Sequence, residues 1–239
     1  SREYNKATYS AFQKNLISST TTLVNFKDGL EDAITYIERN LIDKNAIGLH
    51  LNLTEGVPLT KEMRNNSRFC KNGVYESQNK GPTFYLNREN RKCVYGEIQA
   101  QMDLFISKFG FLPSHIDSHH HSHTEWGFTT SVIRLAKKYA IKSIRLAQNT
   151  GRTAMHKKVY RNLVNSYLSQ KGFKVTDRFG GIDDLYISGL DPNKNYEIMV
   201  HARLSGKETI VDIDLENLEL KLTKLFNSKP WKINNYTSL

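Results

Sequence analysis

Apolar positions follow two spacings along the chain, one typical of strands and the other of helices. Residues 47–53 alternate strictly between apolar and polar, which predicts a strand with one buried face. Residues 28–40 carry apolar side chains every three or four positions, which predicts an amphipathic helix. By the same reasoning, helices are predicted over residues 7–17, 95–109, 128–139, 159–168 and 215–226, and strands over residues 20–26, 115–118, 141–146, 196–201 and 209–213.

The alternation of strands and helices predicts an α/β domain in which helices cover a mainly parallel sheet. The 239 residues suit a single domain, residues 1–239, because no repeat or linker divides them. Residues 60–92 break the alternation with a polar stretch that contains scattered aromatic residues. Long stretches of this kind in a compact domain are usually functional or disordered, so we expect a long loop on the substrate side of the molecule.

Composition narrows the class of protein. With 14 Gly, 5 Pro and 2 Cys the chain is neither collagen-like nor a disulfide scaffold, and no apolar run is long enough for a membrane span. The net charge of +10 comes from dispersed basic residues, so we expect a solvated surface and no nucleic-acid partner. Two distant cysteines favour free thiols in a reducing compartment, and the polar first residues favour a cytoplasmic location. A homodimer is compatible with the sequence.

The eight histidines carry the strongest chemical signal. Four lie in the segment HHHSH at 119–123, which directly follows a short predicted strand, and His50 and His201 lie on or at the end of two others. Sites in α/β folds form where the carboxyl ends of strands meet, and imidazole is the commonest ligand of zinc-like metals. A divalent metal site therefore competes with two structural explanations, a hydrogen-bonded core histidine at position 50 and an exposed polar turn at 119–123.

Two segments together resemble the histidine motifs of the YdjC/ChbG-like carbohydrate deacetylases. They are residues 48–56 (GLHLNLTEG) and residues 113–123 (PSHIDSHHHSH). Weaker matches lie at residues 18–25, 144–145, 177–181 and 197–201. All the matching segments occur in the family's order and together extend over nearly the whole chain.

The resemblance implies an irregular (β/α) barrel and metal-dependent removal of an N-acetyl group from an amino sugar. It implies one divalent metal ion, Mg²⁺ or Zn²⁺, as cofactor. His50 and His119 match the family's metal ligands, and His201 matches a histidine near the reaction centre. The family's first strand bears an Asp-Asp motif without a counterpart in these residues, so we expect the first barrel strand to be absent from this chain.

The remaining roles follow from the same motifs. We expect His201 to protonate the leaving amine. Asp117 is predicted to be a catalytic carboxylate or to orient a metal ligand, and capping of a turn is an equal alternative. Arg145 either holds a carboxylate or substrate or forms an ordinary structural ion pair. The predicted substrate-binding residues are His121, His123, Arg145, Asp177 and Phe179.

Three functions remain open from the sequence. The first is a deacetylase acting on an N-acetylated oligosaccharide, glycolipid or polysaccharide precursor. The second is a different metallohydrolase, because a fold does not fix a reaction. The third is a non-catalytic module that binds carbohydrate or polyanions, which the net charge and the unmatched aspartates favour.

Overall fold

A computed structural model describes residues 2–76, 83–206, 208–213, 215–228 and 231–239. The helices in these ranges are α1 (Arg2–Gln13), α2 (Lys27–Glu38), α3 (Lys61–Arg64), α4 (Arg88–Phe109), α5 (Trp126–Lys138), α6 (Met155–Gln170), α7 (Ile182–Ser188) and α8 (Leu218–Ser228). The strands are β1 (Thr20–Thr22), β2 (Ile47–Leu51), β3 (Cys70–Lys71), β4 (Val74–Tyr75), β5 (Ile116–Ser118), β6 (Arg178–Gly180), β7 (Tyr196–Ile198), β8 (Arg203–Leu204) and β9 (Ile210–Val211).

The central sheet is parallel and has the strand order β1-β2-β5. Single parallel bridges, from Ile116 to Ile144 and from Ser143 to Lys174, continue this arrangement, and β6 pairs in parallel with β7. The mixed α/β fold with parallel strands is therefore confirmed. The described strands form separate sheets rather than one closed sheet, so closure into a barrel stays a prediction.

Two apolar clusters hold the helices in place. The larger one joins the inner strands to α4 and α5, with Leu49, Met102 and Leu135 fully buried. The smaller one joins α1 to α8 and includes Ala7 and Leu222. Burial of this kind contributes about 25 cal/mol for each Å² of apolar surface removed from water, which makes these clusters the main source of stability.

The stretch 60–92 is more ordered than a long loop in the parts that the structure describes. Thr60 caps α3 by accepting a hydrogen bond from the Met63 backbone N–H. The hairpin β3–β4 turns at Asn72 and Gly73, whose φ angles of 53° and 78° suit an Asn-Gly turn. The loop prediction missed these turn and cap signals, while residues 77–82 of the predicted loop lie outside the described residues.

The structure bears on two expectations drawn from composition, one about membrane spans and one about the cysteines. None of the helices in the described ranges has both the length and the apolarity to cross a bilayer. Cys70 and Cys93 are free thiols rather than a disulfide.

Candidate metal centre

A histidine–aspartate pair, in which Asp117 is fully buried and His50 partly exposed, joins two strands of the central sheet. The parallel register sets His50 of β2 directly beside Asp117 of β5. His50 Nδ1 lies 2.7 Å from Asp117 Oδ1, and the Thr21 hydroxyl donates to Asp117 Oδ2 at 3.3 Å. An ionised carboxylate only accepts hydrogen bonds, so His50 Nδ1 is the donor to Asp117. In the neutral imidazole this arrangement leaves the lone pair on Nε2.

The charge of Asp117 is fixed by Arg145. The Arg145 Nη1 atom donates to Asp117 Oδ2, and Arg145 Nε donates to Glu197 Oε1 at 2.5 Å. Burial alone would raise the pKa of Asp117, but Arg145 and His50 hold it well below its usual range. Arg145 therefore forms ion pairs with Asp117 and Glu197, and whether it also binds substrate stays a prediction.

Three further donor groups cluster beyond the end of β5. Glu55 Oε2 lies 3.3 Å from His119 Nε2, and Glu55 Oε1 lies 3.1 Å from His120 Nε2. One ligand atom from each of these residues lies within 4.8 Å of the others. The His50 and His119 rings are 5.7 Å apart between centroids, so both histidine motifs contribute to one region.

Asn52 sets the position of Glu55. Its side-chain oxygen accepts hydrogen bonds from the backbone N–H groups of Thr54 and Glu55, and its amide donates to the Glu55 carbonyl at 2.8 Å. Gln101 of α4 pairs with both backbone groups of Asn52 at 2.7 and 2.8 Å. The turn that presents Glu55 is therefore tied to the buried face of the longest helix.

The histidine loop has an unusual backbone. His120 and His121 both adopt left-handed conformations, with φ of 50° and 56°. L-residues with a side chain rarely adopt this region, and it costs roughly 1–2 kcal/mol per residue. The kink turns His120 toward Glu55, and the His121 ring meets the Phe179 ring edge-on at 5.6 Å between centroids.

The donor set suits a divalent metal ion. Burial, with help from His120 and His50, lowers the pKa of His119, which favours the neutral imidazole that a metal requires. Two imidazoles and a carboxylate match the ligand types of zinc better than the all-oxygen set that magnesium prefers. These residues could therefore hold a zinc-like ion. His50 does not belong to the group whose ligand atoms lie within 4.8 Å of one another, and its ring centroid is 5.7 Å from that of His119.

His201 follows β7 and does not belong to the group of Glu55, His119 and His120. Its side chain is half exposed, and its Nδ1 lies 3.7 Å from Asp212 Oδ1. Its backbone N–H donates to the Asp212 carboxylate at 2.5 Å, which fixes the start of the segment after β7. Burial, followed by the charge of Arg145 and with a small contribution from His201, lowers the pKa of His121.

The residues predicted to bind substrate lie in different environments. His123 is buried, with Nδ1 hydrogen bonded to the Ser118 hydroxyl and Nε2 to the Arg145 carbonyl. Phe179 is fully buried, and the Arg145 guanidinium carbon lies 5.0 Å from its ring centroid. Asp177 precedes β6 and accepts a hydrogen bond from the Asn195 backbone at 2.9 Å. His121 directly follows His120 in the sequence, and all these substrate contacts stay predictions.

Several site residues escaped the sequence reasoning. Glu55 stands in the first histidine motif and His120 in the second, but neither received a role. The signal was available, because each position comes two residues after the end of a predicted strand, where sites in α/β folds form. Glu197 stood in a quoted motif without an assigned partner, and Tyr236 had no signal at all.

We expect the protein to lose stability in mild acid, because two of its histidines are buried. Burial lowers the pKa of His115 and of His123 to about 3, whereas an unfolded histidine has a pKa of about 6.5. Stability is therefore fully present above about pH 6.5 and is lost as the pH falls from 6.5 toward 3. Urea titrations of metal-free protein should show the free energy of unfolding falling by at least about 2 kcal/mol between pH 7 and pH 5.5.

The control for this pH dependence is a pair of single variants. His123→Gln should weaken the pH dependence, and replacing the exposed His156 of α6 should leave it unchanged. Equal free energies of unfolding at the two pH values would contradict the prediction.

A family model described as YdjC-like protein matches residues 1–223. The chain is 34% identical over 137 residues to a carbohydrate deacetylase from Vibrio parahaemolyticus serotype O3:K6, covering 57% of this chain and 51% of that protein. It is 30% identical over 148 residues to a carbohydrate deacetylase from Clostridium beijerinckii, covering 59% and 54%. A chitooligosaccharide deacetylase from Proteus mirabilis is 32% identical over 127 residues, covering 52% and 46%.

The matches to these relatives span about half of their length. A solved structure, a "putative cellobiose-phosphate cleavage protein" from Enterococcus faecalis V583, superposes with a TM-score of 0.71 over 99% of this chain and 93% of the other at 20% identity. That likeness concerns the fold alone. The family model covers most of the sequence and includes both histidine segments, and on this ground the chain belongs to the YdjC-like protein family.

Proposed function

We propose that this chain is a metal-dependent hydrolase that removes the N-acetyl group from an amino sugar. The observation that carries the proposal is the convergence of Glu55, His119 and His120, whose ligand atoms lie within 4.8 Å of one another beside His50. The names of the relatives, carbohydrate deacetylase and chitooligosaccharide deacetylase, support the choice of reaction and of substrate class. We propose an N-acetylated oligosaccharide as the substrate.

We assign a separate role in metal binding or orientation to each residue of this region. His50 and His119 would hold the metal, with Glu55 and His120 completing the donors. A divalent ion held there would supply Lewis-acid chemistry toward the acetyl carbonyl and the attacking water. Asp117 fixes the His50 ring rather than taking a proton, because its depressed pKa makes it a weak base.

We assign proton delivery to His201. The leaving amine needs a proton to depart, and an imidazole titrates near neutral pH. The half-exposed ring lies next to Asp212, with Nδ1 3.7 Å from Oδ1. We propose that His201 donates the proton without being part of the donor cluster.

Replacing His201 with alanine should lower kcat by about 10²- to 10⁴-fold, the usual contribution of a positioned acid. Zinc affinity and KM should change little, because the ring lies outside the donor cluster. Steady-state kinetics and calorimetric zinc titration measure the two effects separately. His156→Ala, which removes an exposed histidine from α6, is the matched control, and an unchanged kcat in His201→Ala would refute the role.

The direct test of the proposed function is acetate release from N-acetylated chito-oligosaccharides. Tag-free protein is stripped with a chelator and assayed before and after zinc is restored. Turnover that depends on the added metal supports the proposal. Saccharide binding without acetate release at any metal concentration would instead indicate the non-catalytic module.

A further inference from the structure

A continuous chain of hydrogen bonds links the candidate metal centre to the last turn of the described structure. The Tyr236 hydroxyl donates to Glu197 Oε2, while Glu197 Oε1 accepts from Arg145 Nε at 2.5 Å. Arg145 Nη1 then donates to Asp117, whose other oxygen lies 2.7 Å from His50 Nδ1. The polar side chains of this chain are largely buried, with exposed fractions of 0% for Asp117, 10% for Glu197 and 15% for Arg145.

The Tyr236 ring is itself fixed by packing. It stacks on the His115 ring with the centroids 3.7 Å apart and the planes 12° from parallel. His115 in turn lies against Gly48 of β2, where an added Cβ would come within 2.6 Å of the His115 ring. The Asn235 side chain caps the turn by accepting from the Thr237 backbone N–H at 3.1 Å. The hydroxyl is therefore held at a defined place between β2 and β7.

The hydroxyl of Tyr236 also stays protonated. Burial, followed by the Glu197 carboxylate, raises its pKa well above the usual value. It can therefore act only as a donor toward Glu197, whose second oxygen is already taken by Arg145. Without this donor, one oxygen of a nearly buried carboxylate would lose its hydrogen bond, which favours rotation of Glu197 away from Arg145.

We propose that Tyr236 is a positioning residue of the metal centre, acting through Glu197 and Arg145 to hold Asp117 where it keeps the proton on His50 Nδ1. The proposal rests on the metal-ligand role given to His50 under the proposed function. Residue 236 lies beyond the 1–223 that match the family model, so this role is read from the contacts of this chain alone. Tyr236 touches neither substrate nor metal in the proposal.

Tyr236→Phe tests the proposal because it removes the hydroxyl and keeps the ring that stacks on His115. We expect the zinc affinity, measured by calorimetry on chelator-stripped protein, to fall about tenfold, as for other partners behind a metal ligand. We also expect nitrogen-15 NMR of the metal-free protein to show part of His50 protonated on Nε2 instead of Nδ1. Tyr139→Phe is the matched control, because it removes a tyrosine–carboxylate hydrogen bond to Asp103 at a distant, exposed site.

A double-variant cycle separates action through Glu197 from a general loss of stability. Glu197→Gln and Tyr236→Phe should each lower zinc affinity, and the double variant should lower it by less than the product of the two effects. An unchanged zinc affinity and an unchanged His50 tautomer in Tyr236→Phe would overturn the proposal. If the parent protein bound no zinc, the proposed function would fail, while the His50 tautomer would still decide the role of Tyr236.

Discussion

Replacing both His50 and His119 with alanine will abolish tight zinc binding. His50 lies near the end of β2, and His119 directly follows β5. These two strands are parallel neighbours, and the ring centroids are 5.7 Å apart. Loss of a partner behind a ligand alone costs 10- to 100-fold in metal affinity, so loss of two ligands should cost more than about 100-fold. Metal analysis and zinc titration of tag-free protein measure this change.

The control must remove the same number of imidazoles elsewhere. The double variant His156→Ala, His201→Ala does so, and we expect it to keep the parent's zinc affinity because neither residue is a proposed metal ligand. Equal zinc content in the parent and in the His50→Ala, His119→Ala variant would show that neither histidine holds the metal.

The second large effect concerns folding rather than metal binding. Arg145→Met leaves the carboxylates of Asp117 and Glu197 without their cation in a largely buried place. Breaking a buried ion pair by removing one partner typically costs 3–5 kcal/mol, so we expect the free energy of unfolding to fall by about that amount at pH 7. Urea unfolding monitored by circular dichroism gives the value.

Two further variants test whether the loss of stability in Arg145→Met depends on the burial of its ion pairs. Lys194→Met breaks the exposed pair with Asp177, for which we expect a loss of less than about 1 kcal/mol. Adding Asp117→Asn and Glu197→Gln to Arg145→Met should recover part of the lost stability, because the uncompensated charges are then gone. A cost for Arg145→Met no larger than that for Lys194→Met would mean that the buried network contributes nothing to stability.

Local patterns in the sequence were sufficient for the inner strands and for the main helices. Strict alternation over 47–53 put His50 on the polar face of β2, and the structure has that face beside Asp117. The start of α4 was predicted at residue 95 and lies at Arg88, because the Asn87 side chain caps the helix by accepting from the Asn90 N–H. The strand predicted at 141–146 consists of isolated bridges at Ser143 and Ile144.

The network around Arg145 could not be predicted from local patterns. Glu197 is 52 residues from Arg145 in sequence, and Tyr236 is a further 39 residues from Glu197. Periodicity tells which face of an element is buried, but not which distant side chain meets it. The family motifs directed attention to the histidines, and Glu55 became visible as a donor only through its distances to His119 and His120.

The left-handed backbone at His120 and His121 has a consequence for engineering. Asparagine or glycine would relieve this backbone cost at either position, since both adopt positive φ more easily than histidine does. A laboratory selection for heat resistance alone should therefore favour such replacements and discard an imidazole beside Glu55. Thermostabilised variants chosen without a metal-binding screen would then gain melting temperature and lose the proposed metal-dependent activity. This stability–activity trade-off would involve only two adjacent residues.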